Sequence, residues 1–239
     1  MSVWEQILNC FLPPRCLKCG KPLKQDLGLC GDCIEDIGFI CEPYCQKCGQ
    51  PFEFLETQNG KLLCGNCLKN QNSPFRLSRS AFVYNQHSKL LITDLKYNDK
   101  TENAKLLAKI MWVAGKEIFE AGVDVIIPVP LHYSRLIKRR YNQSALIGNE
   151  LSKISGIPID NTTLRKHKKT RPQIELSGNE RQNNVRNAFS VRNHKKIAGK
   201  RILLIDDVLT TGATLKECAK ALLKAGVASV DTLTAGRVI

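Results

Sequence analysis

The chain lacks any stretch approaching the ~18 consecutive apolar residues that a membrane-spanning helix requires, so no such helix is expected. Its N-terminus has neither a basic leader nor a long apolar core, and a secretory signal is not expected either. No Gly-x-x-x-x-Gly-Lys-Ser/Thr string occurs, which leaves a Walker-type ATPase without support. No repeat runs through the whole sequence. Wholesale disorder is excluded, because 43% of the 239 residues are hydrophobic, enough for one large core or two smaller ones. Acidic residues are scarce beside basic ones, 22 Asp+Glu against 36 Lys+Arg, which gives a net charge of +14. The other departure from ordinary composition is 11 cysteines.

Charge and cysteine divide the chain at the same place. Residues 1–76 hold 8 basic and 8 acidic side chains and 10 of the 11 Cys. Residues 77–239 hold 28 basic and 14 acidic side chains, the whole net +14, and one Cys. Within that second part, residues 132–201 carry 17 basic and 4 acidic side chains, a block of +13. The boundary falls in the polar stretch 70–76, which contains Ser73-Pro74. Two domains are therefore expected, 1–76 and 77–239.

Eight cysteines in the first domain form four Cys-x-x-Cys pairs: Cys16/Cys19, Cys30/Cys33, Cys45/Cys48 and Cys64/Cys67. Such a turn brings two thiolates to about 2.3 Å from one zinc, and two turns complete a tetrahedral four-cysteine site. Gly20, Gly31, Gly49 and Gly65 sit beside the pairs. None of the four His lies in this region, which disfavours mixed ligation. Two structural zinc ions are expected, supplying folding energy that so small a module lacks. The other readings are a disulfide framework, which needs an oxidising compartment, and iron–sulfur or redox use. Cys10, Cys41 and Cys218 are left over and read as small buried hydrophobes. Trp4, Ile7, Leu8, Phe11 and Leu12 recur at helical spacing, predicting a short amphipathic helix that docks on the protein's own body.

The second domain alternates strand and helix patterns. Strands are expected over 80–84, 123–129, 201–205 and 228–233, with helices over 88–97, 104–119, 142–154 and 213–225. Apolar strands interleaved with helices imply an α/β fold, a mostly parallel sheet covered on both faces.

The most informative segment is Arg201-Ile-Leu-Leu-Ile-Asp206-Asp207-Val-Leu-Thr210-Thr211-Gly212-Ala213-Thr214. A buried strand ends in two carboxylates, and a Thr-rich loop then opens a helix. Loop amides at a helix entry make an anion site, to which threonine hydroxyls add donors. Adjacent acids suit a diol or a hydrated magnesium, and together the parts fit a ribose 5-phosphate. The segment resembles the type I phosphoribosyltransferases. That resemblance assigns the loop to the 5-phosphate and the acids to the ribose hydroxyls of phosphoribosyl pyrophosphate.

Other stretches resemble the ComF family of DNA-uptake proteins. They are Ile127-Pro-Val-Pro-Leu-His132 with Arg135, Lys138, Arg139, Arg140 and Tyr141-Asn-Gln143, and Lys169-Thr-Arg-Pro-Gln-Ile-Glu-Leu-Ser177 with Glu180-Arg181, Asn184-Val185 and Ala188-Phe189. Leu95-Lys96-Tyr97 and the cysteine-rich N-terminus also match. The resemblance covers nearly the full chain. It implies a type I phosphoribosyltransferase-like domain, with a double zinc ribbon where other members carry a base-binding hood. It also makes 128–135 the pyrophosphate loop and 166–184 a mobile loop that closes over the site.

The basic block admits three readings. In the leading one, the chain handles single-stranded DNA during natural transformation. Lys and Arg would neutralise phosphates, and Tyr133, Tyr141 and Phe189 would offer stacking faces. In the second, the same cations hold pyrophosphate and the chain is an active phosphoribosyltransferase working with magnesium. The third makes them a solvated face. Candidate contacts for DNA or pyrophosphate are Arg135, Lys138, Arg139, Arg140, Lys166, Lys168, Lys169, Arg171 and Arg181. His132 and His167 are the histidines available as a base. A scaffold whose zinc module docks a helicase or a membrane channel is a further alternative. The expected location is cytoplasmic, with peripheral placement at the inner membrane face open.

Overall fold

The computed structural model describes residues 13–24, 28–52, 62–70, 72–170 and 178–239, with backbone alone at Gly178, Asn179, Arg181 and Gln182. The amphipathic segment around Trp4–Leu12, with Cys10, lies outside the described residues, as does Arg171. No helix among the described residues is long and apolar enough to cross a membrane.

Runs of Val, Ile and Leu build one four-stranded parallel sheet from β1 (Ser78–Val83), β2 (Val125–Pro128), β5 (Arg201–Leu209) and β6 (Ser229–Arg237). The order is β1-β6-β5-β2, so the last two strands in sequence form the centre. Side chains alternate between the faces. Ile202 and Leu204 join Val125, Ile127 and Val230 on one side, whereas Leu203 and Ile205 join Ile126, Leu233 and Ala235 on the other. Both sets are buried, which explains the unbroken apolar runs. Each fully buried Leu or Ile contributes about 1.5–3 kcal/mol.

One face is covered by α3 (Lys89–Tyr97), α4 (Asn103–Ala114) and α7 (Gln143–Ser155). The α4 stripe Ala104, Leu107, Ala108 and Met111 has the i, i+3, i+4, i+7 spacing of a core-facing helix. The other face is covered by α9 (Ala213–Lys224), through Leu215, Cys218, Ala219 and Leu222. A two-stranded antiparallel hairpin of β3 (Leu164–Lys166) and β4 (Phe189–Val191) stands beside it.

Several sequence expectations change. The helix expected over 104–119 is two, α4 and α5 (Lys116–Glu120), separated at Gly115. A Cβ there would come within 2.8 Å of both Leu233 Cδ2 and Phe119 Cε2, so the chain passes β6 at a glycine. Strand β5 runs on to Leu209 because its pairing with β6 continues to Arg237, and the two acids lie within it. The segment read as the turn 128–135 enters a helix, α6 (Tyr133–Arg139), and 178–184 of the expected loop is also helical, in α8 (Gly178–Val185).

The cysteine module carries two short helices, α1 (Gly31–Glu35) and α2 (Gly65–Lys69), and covers the β1 edge of the sheet. Ile40 N donates to Ala81 O at 3.0 Å and Val83 N to Gly38 O at 2.8 Å, so an otherwise open strand edge is paired. Arg237 at the end of β6 donates to Cys48 O at 2.6 Å and to Gln50 Oε1 at 2.7 Å. Arg79, buried, pairs with Glu117 and donates to Gln46 O. Cys218 is buried as expected, but Cys41 is exposed. It lies just past the Phe39–Ile40 contact with β1, in the connector between the two cysteine groups, where nothing covers it.

Candidate functional site

Two four-thiol groups occupy the cysteine module: Cys16, Cys19, Cys30 and Cys33, and Cys45, Cys48, Cys64 and Cys67. Within each, the four sulfurs lie within 4.8 Å of one another. Cys19 and Cys30 Sγ are 3.7 Å apart, and Cys48 and Cys64 Sγ 3.6 Å. A tetrahedron with ~2.3 Å metal–sulfur bonds has edges of about 3.8 Å, so the groups fit zinc. Backbone amides support the thiolates, Cys30 N donating to Cys16 Sγ at 3.4 Å and Cys64 N to Cys45 Sγ at 3.3 Å. All described cysteines are free of disulfides. Consecutive pairs thus share a site, and four thiolates leave zinc no open position for catalysis.

The second site is built at the C-terminal end of the sheet, where loops after parallel strands form a crevice. Asp206 Oδ1 accepts from Ser144 Oγ at 2.9 Å and from the Asp207 amide at 2.9 Å. Asp207 Oδ2 accepts from Gln143 Nε2 at 2.9 Å and pairs with Lys96 Nζ at 2.9 Å. Gln143 and Ser144 reach the acids because they open α7. Asn142 caps that helix, its Oδ1 accepting from Ser144 N, while its Nδ2 donates to Val129 O and ties α7 to the end of β2. Gln143 is 5% exposed, and its Oε1 has no partner among the described residues.

Burial and the adjacent Asp207 push the Asp206 carboxyl up to about 7. For Lys96, burial works against the charge, but Asp207 and then Asp206 outweigh it and raise its pKa. After the acids, Gly212 takes φ +72° and caps α9, whose first residues Ala213, Thr214 and Leu215 line the crevice with Thr210.

Facing them across a cleft of about 660 Å³ are Arg135, Lys138, Arg139, Arg140 and Lys166. Arg140, at φ +65°, ends α6 in the left-handed conformation and turns the chain toward α7. Arg135 donates to Thr170 O at 2.9 Å, and Arg139 lies over the Tyr97 ring, 5.0 Å from its centroid. Burial, and then Arg135, press Lys166 down to about 8, while burial and Arg139 lower Arg135. The cleft therefore has an acidic end already neutralised by Lys96 and a basic wall with charge in excess.

Most of the sequence candidates meet here: Asp206, Asp207, Thr210, Gly212, Ala213 and Thr214 at one end, and the five cations at the other. Thr211 does not line the cleft; it is exposed and its Oγ1 accepts from Ala213 N at 3.4 Å. Lys168 and Lys169 are exposed outside it. Arg181 lies on α8 with its side chain undescribed. His132 is 6% exposed and caps α6, Nδ1 accepting from Ser134 N, which makes it a structural residue. His167 lines a different cleft. Sequence reasoning gave no role to Lys96, Gln143 or Ser144. Lys96 and Gln143 sat inside family-like strings, yet nothing local pointed at the acids.

Two family-model matches agree with this architecture. A double zinc ribbon domain model matches residues 7–68 and a phosphoribosyl transferase domain model matches 104–236. The chain is 33% identical to competence protein F of Haemophilus influenzae over 92% of its length and 96% of that protein. It is 31% identical to the DNA utilization protein YhgH of Salmonella typhimurium over 92% of its length and 95% of that protein. A solved structure of the glutamine phosphoribosylpyrophosphate amidotransferase from B. subtilis matches 54% of this chain and 25% of that one, at 23% identity and a TM-score of 0.37. With a double zinc ribbon, a phosphoribosyltransferase-like sheet domain and full-length similarity to competence protein F, the chain belongs to the ComF family.

Proposed function

We propose that the chain handles incoming single-stranded DNA in natural transformation, and that its cleft holds a ribose phosphate with a pyrophosphate arm, as in phosphoribosyl pyrophosphate. The competence and DNA-utilization relatives support the first part. The second rests on one observation: a single cleft joins an acid pair, a Thr-Gly helix entry and, besides Lys96, five cations. In this reading Asp206 and Asp207 accept hydrogen bonds from the ribose hydroxyls. Thr210, Gly212, Ala213 and Thr214 surround the 5-phosphate at the start of α9. Arg135 and Lys166 face the pyrophosphate; both pKa values are depressed, so an arriving anion relieves their repulsion and burial. Magnesium bound with that ligand would neutralise part of its pyrophosphate charge, and Asp206 and Asp207 are the carboxylates of this cleft that could help hold it.

Calorimetric titration with phosphoribosyl pyrophosphate and magnesium, with and without an oligonucleotide, tests both parts. Saturable binding of the ligand and salt-dependent binding of the strand are expected. Absence of heat with the ligand would overturn the pocket, and salt-independent or undetectable strand binding would overturn the DNA role. Arg139→Ala with Arg140→Ala removes two cations of this cleft and should weaken binding of phosphoribosyl pyrophosphate.

A second reading, active transfer in the same cleft, is favoured by Arg135 and Lys166, because cations in a partly buried cleft stabilise a departing pyrophosphate. It predicts magnesium-dependent pyrophosphate release with some acceptor base, abolished by Asp207→Asn. No turnover across a broad base panel would sink it.

A further inference from the structure

Of the 17 basic residues in 132–201, five line the cleft just described. One more, Arg186, borders a second open cleft of about 920 Å³, which Lys220 and Lys224 of α9 also line. The β3–β4 hairpin is the wall between the two. Lys166 lines the first cleft and its neighbour His167 the second. Phe189 faces the second, with Lys166 Nζ 5.4 Å from its ring centroid on the way through the wall.

The cations of the second cleft come from two elements: Arg186 follows α8, and Lys220 and Lys224 stand one turn apart on α9, while the imidazole of His194, which opens the 3₁₀ turn His194–Lys196, also lines it. Glu217 is the one acid among the lining residues, and it is engaged: it accepts from Lys220 Nζ at 2.8 Å and from Asn187 N at 3.1 Å. The side chains of Arg186 and Lys224 are exposed and form no hydrogen bond or salt bridge among the described residues, although the charge of Arg186 acts on Glu217. Between these charges lies an apolar floor of half-buried Val191, Ala221 and Ala225, joined by Phe189, which is 8% exposed.

The distribution selects the ligand. One small anion would need donors converging on a point, whereas these cations are spread over two elements along an open trough. An acidic peptide would use the rim and leave the floor idle. A single strand uses both, with phosphates on the cations and base faces on the apolar floor. We propose that this second cleft is a track for single-stranded nucleic acid, separate from the ribose-phosphate cleft and divided from it by the β3–β4 hairpin. The proposal rests on the reading that the chain handles single-stranded DNA, and it names where the strand lies.

The test is a double variant, Arg186→Ser with Lys224→Ser, at exposed positions that do not line the first cleft. Binding of oligothymidylate is followed by fluorescence anisotropy over a potassium chloride series, with the melting temperature as a check on folding. The slope of log affinity against log salt should shrink by about 1.4, for two phosphates at ~0.7 each, with the melting temperature unchanged. Binding of phosphoribosyl pyrophosphate should be the same in both proteins. If the parent chain binds the oligonucleotide and the double variant keeps its affinity and slope, the track is refuted while the DNA role stands. The trough would then fit an acidic protein segment instead. If the parent chain itself binds no strand, both readings fall together.

Discussion

The cysteine module and the sheet domain hold themselves together by different means. The sheet domain buries both faces of a parallel sheet, with Ile202, Leu203, Leu204, Ile205 and Leu233 all at 0% exposure. The described part of the module has few core side chains of its own, chiefly Leu29 and Ile37, and these share the sheet domain's cluster. Its organisation comes from eight sulfurs in two tetrahedral groups. The module is also charge-neutral, whereas the basic block belongs entirely to the sheet domain. One region is therefore organised around two four-thiol groups and carries no net charge, and the other is built by apolar burial and carries the cation-lined clefts. A perturbation aimed at one should leave a recognisable signature in the other.

Metal removal should have the largest effect. Pure protein is expected to contain about two zinc ions per chain, and structural zinc contributes on the order of 10–16 kcal/mol at neutral pH. Chelation should unfold the module and expose its amides to hydrogen exchange while the central strands β5 and β6 stay protected. Metal-free protein with a fully protected module would break the comparison.

The reverse experiment strikes the sheet domain without touching a sulfur. Asp231, fully buried on β6, accepts from Arg76 Nε at 3.0 Å and from Leu77 N at 2.9 Å, fastening the chain as it enters β1. Asp231→Ala should cost about 2–3 kcal/mol in denaturant unfolding. That is below the ~3–5 expected for a wholly buried pair, because the Arg76 side chain is 37% exposed. Zinc content should stay at two; its loss would mean that the regions do not separate.

Legibility in the sequence followed locality. The cysteine pairs and the segment from Arg201 to Thr214 were readable because each is a continuous stretch whose spacing dictates its geometry. The acid pair's partners were not. Lys96 and Gln143 reach Asp207, and Ser144 reaches Asp206, only because α3 and α7 both pack on the same face of the sheet. Three-residue strands such as β3 and β4 are too short to show a period, so the wall between the two clefts gave no signal. His132 resembled a base because a loop histidine next to cations suits that role, but its ring is used as a helix cap. Gly115 was hidden for a related reason: the helical pattern continues through it, and the close approach of Leu233 and Phe119 that a side chain there would block is set by the fold.

Within the sheet domain, Asp207→Asn should weaken binding of phosphoribosyl pyrophosphate by about 10- to 150-fold, the equivalent of ~1.5–3 kcal/mol for a charged hydrogen bond. It removes the partner of Lys96 and one acceptor for the ribose. The module should not register the change, so zinc content and chelator sensitivity should match the parent protein. An unchanged affinity would detach the acid pair from the ligand.

The last effect separates the two regions by sign. Asp206 has its folded-state pKa raised from 3.8 to about 7 by burial and by Asp207, so between those values the folded chain holds a proton that the unfolded chain has lost. The stability of the sheet domain should therefore fall as pH rises from about 4 to about 7. The depressed carboxylates do not oppose this. Asp124, held by Arg201 to about 2, and Asp160, lowered to about 2 against its burial by Thr163 and Thr162, lose their contribution only as pH drops below about 4. Lys166, lowered to about 8, changes stability only above that pH. The module should respond in the other direction, because zinc binds thiolate and its affinity rises with pH. Hydrogen exchange across pH 4.5 to 7, corrected for intrinsic rates and reported strand by strand, should show β5 opening more readily while the cysteine loops tighten. Asp207→Asn removes the neighbouring charge and should flatten the β5 trend without altering the module's. Parallel trends in both regions, or a β5 slope that survives Asp207→Asn unchanged, would mean that the pH response does not originate at the acid pair.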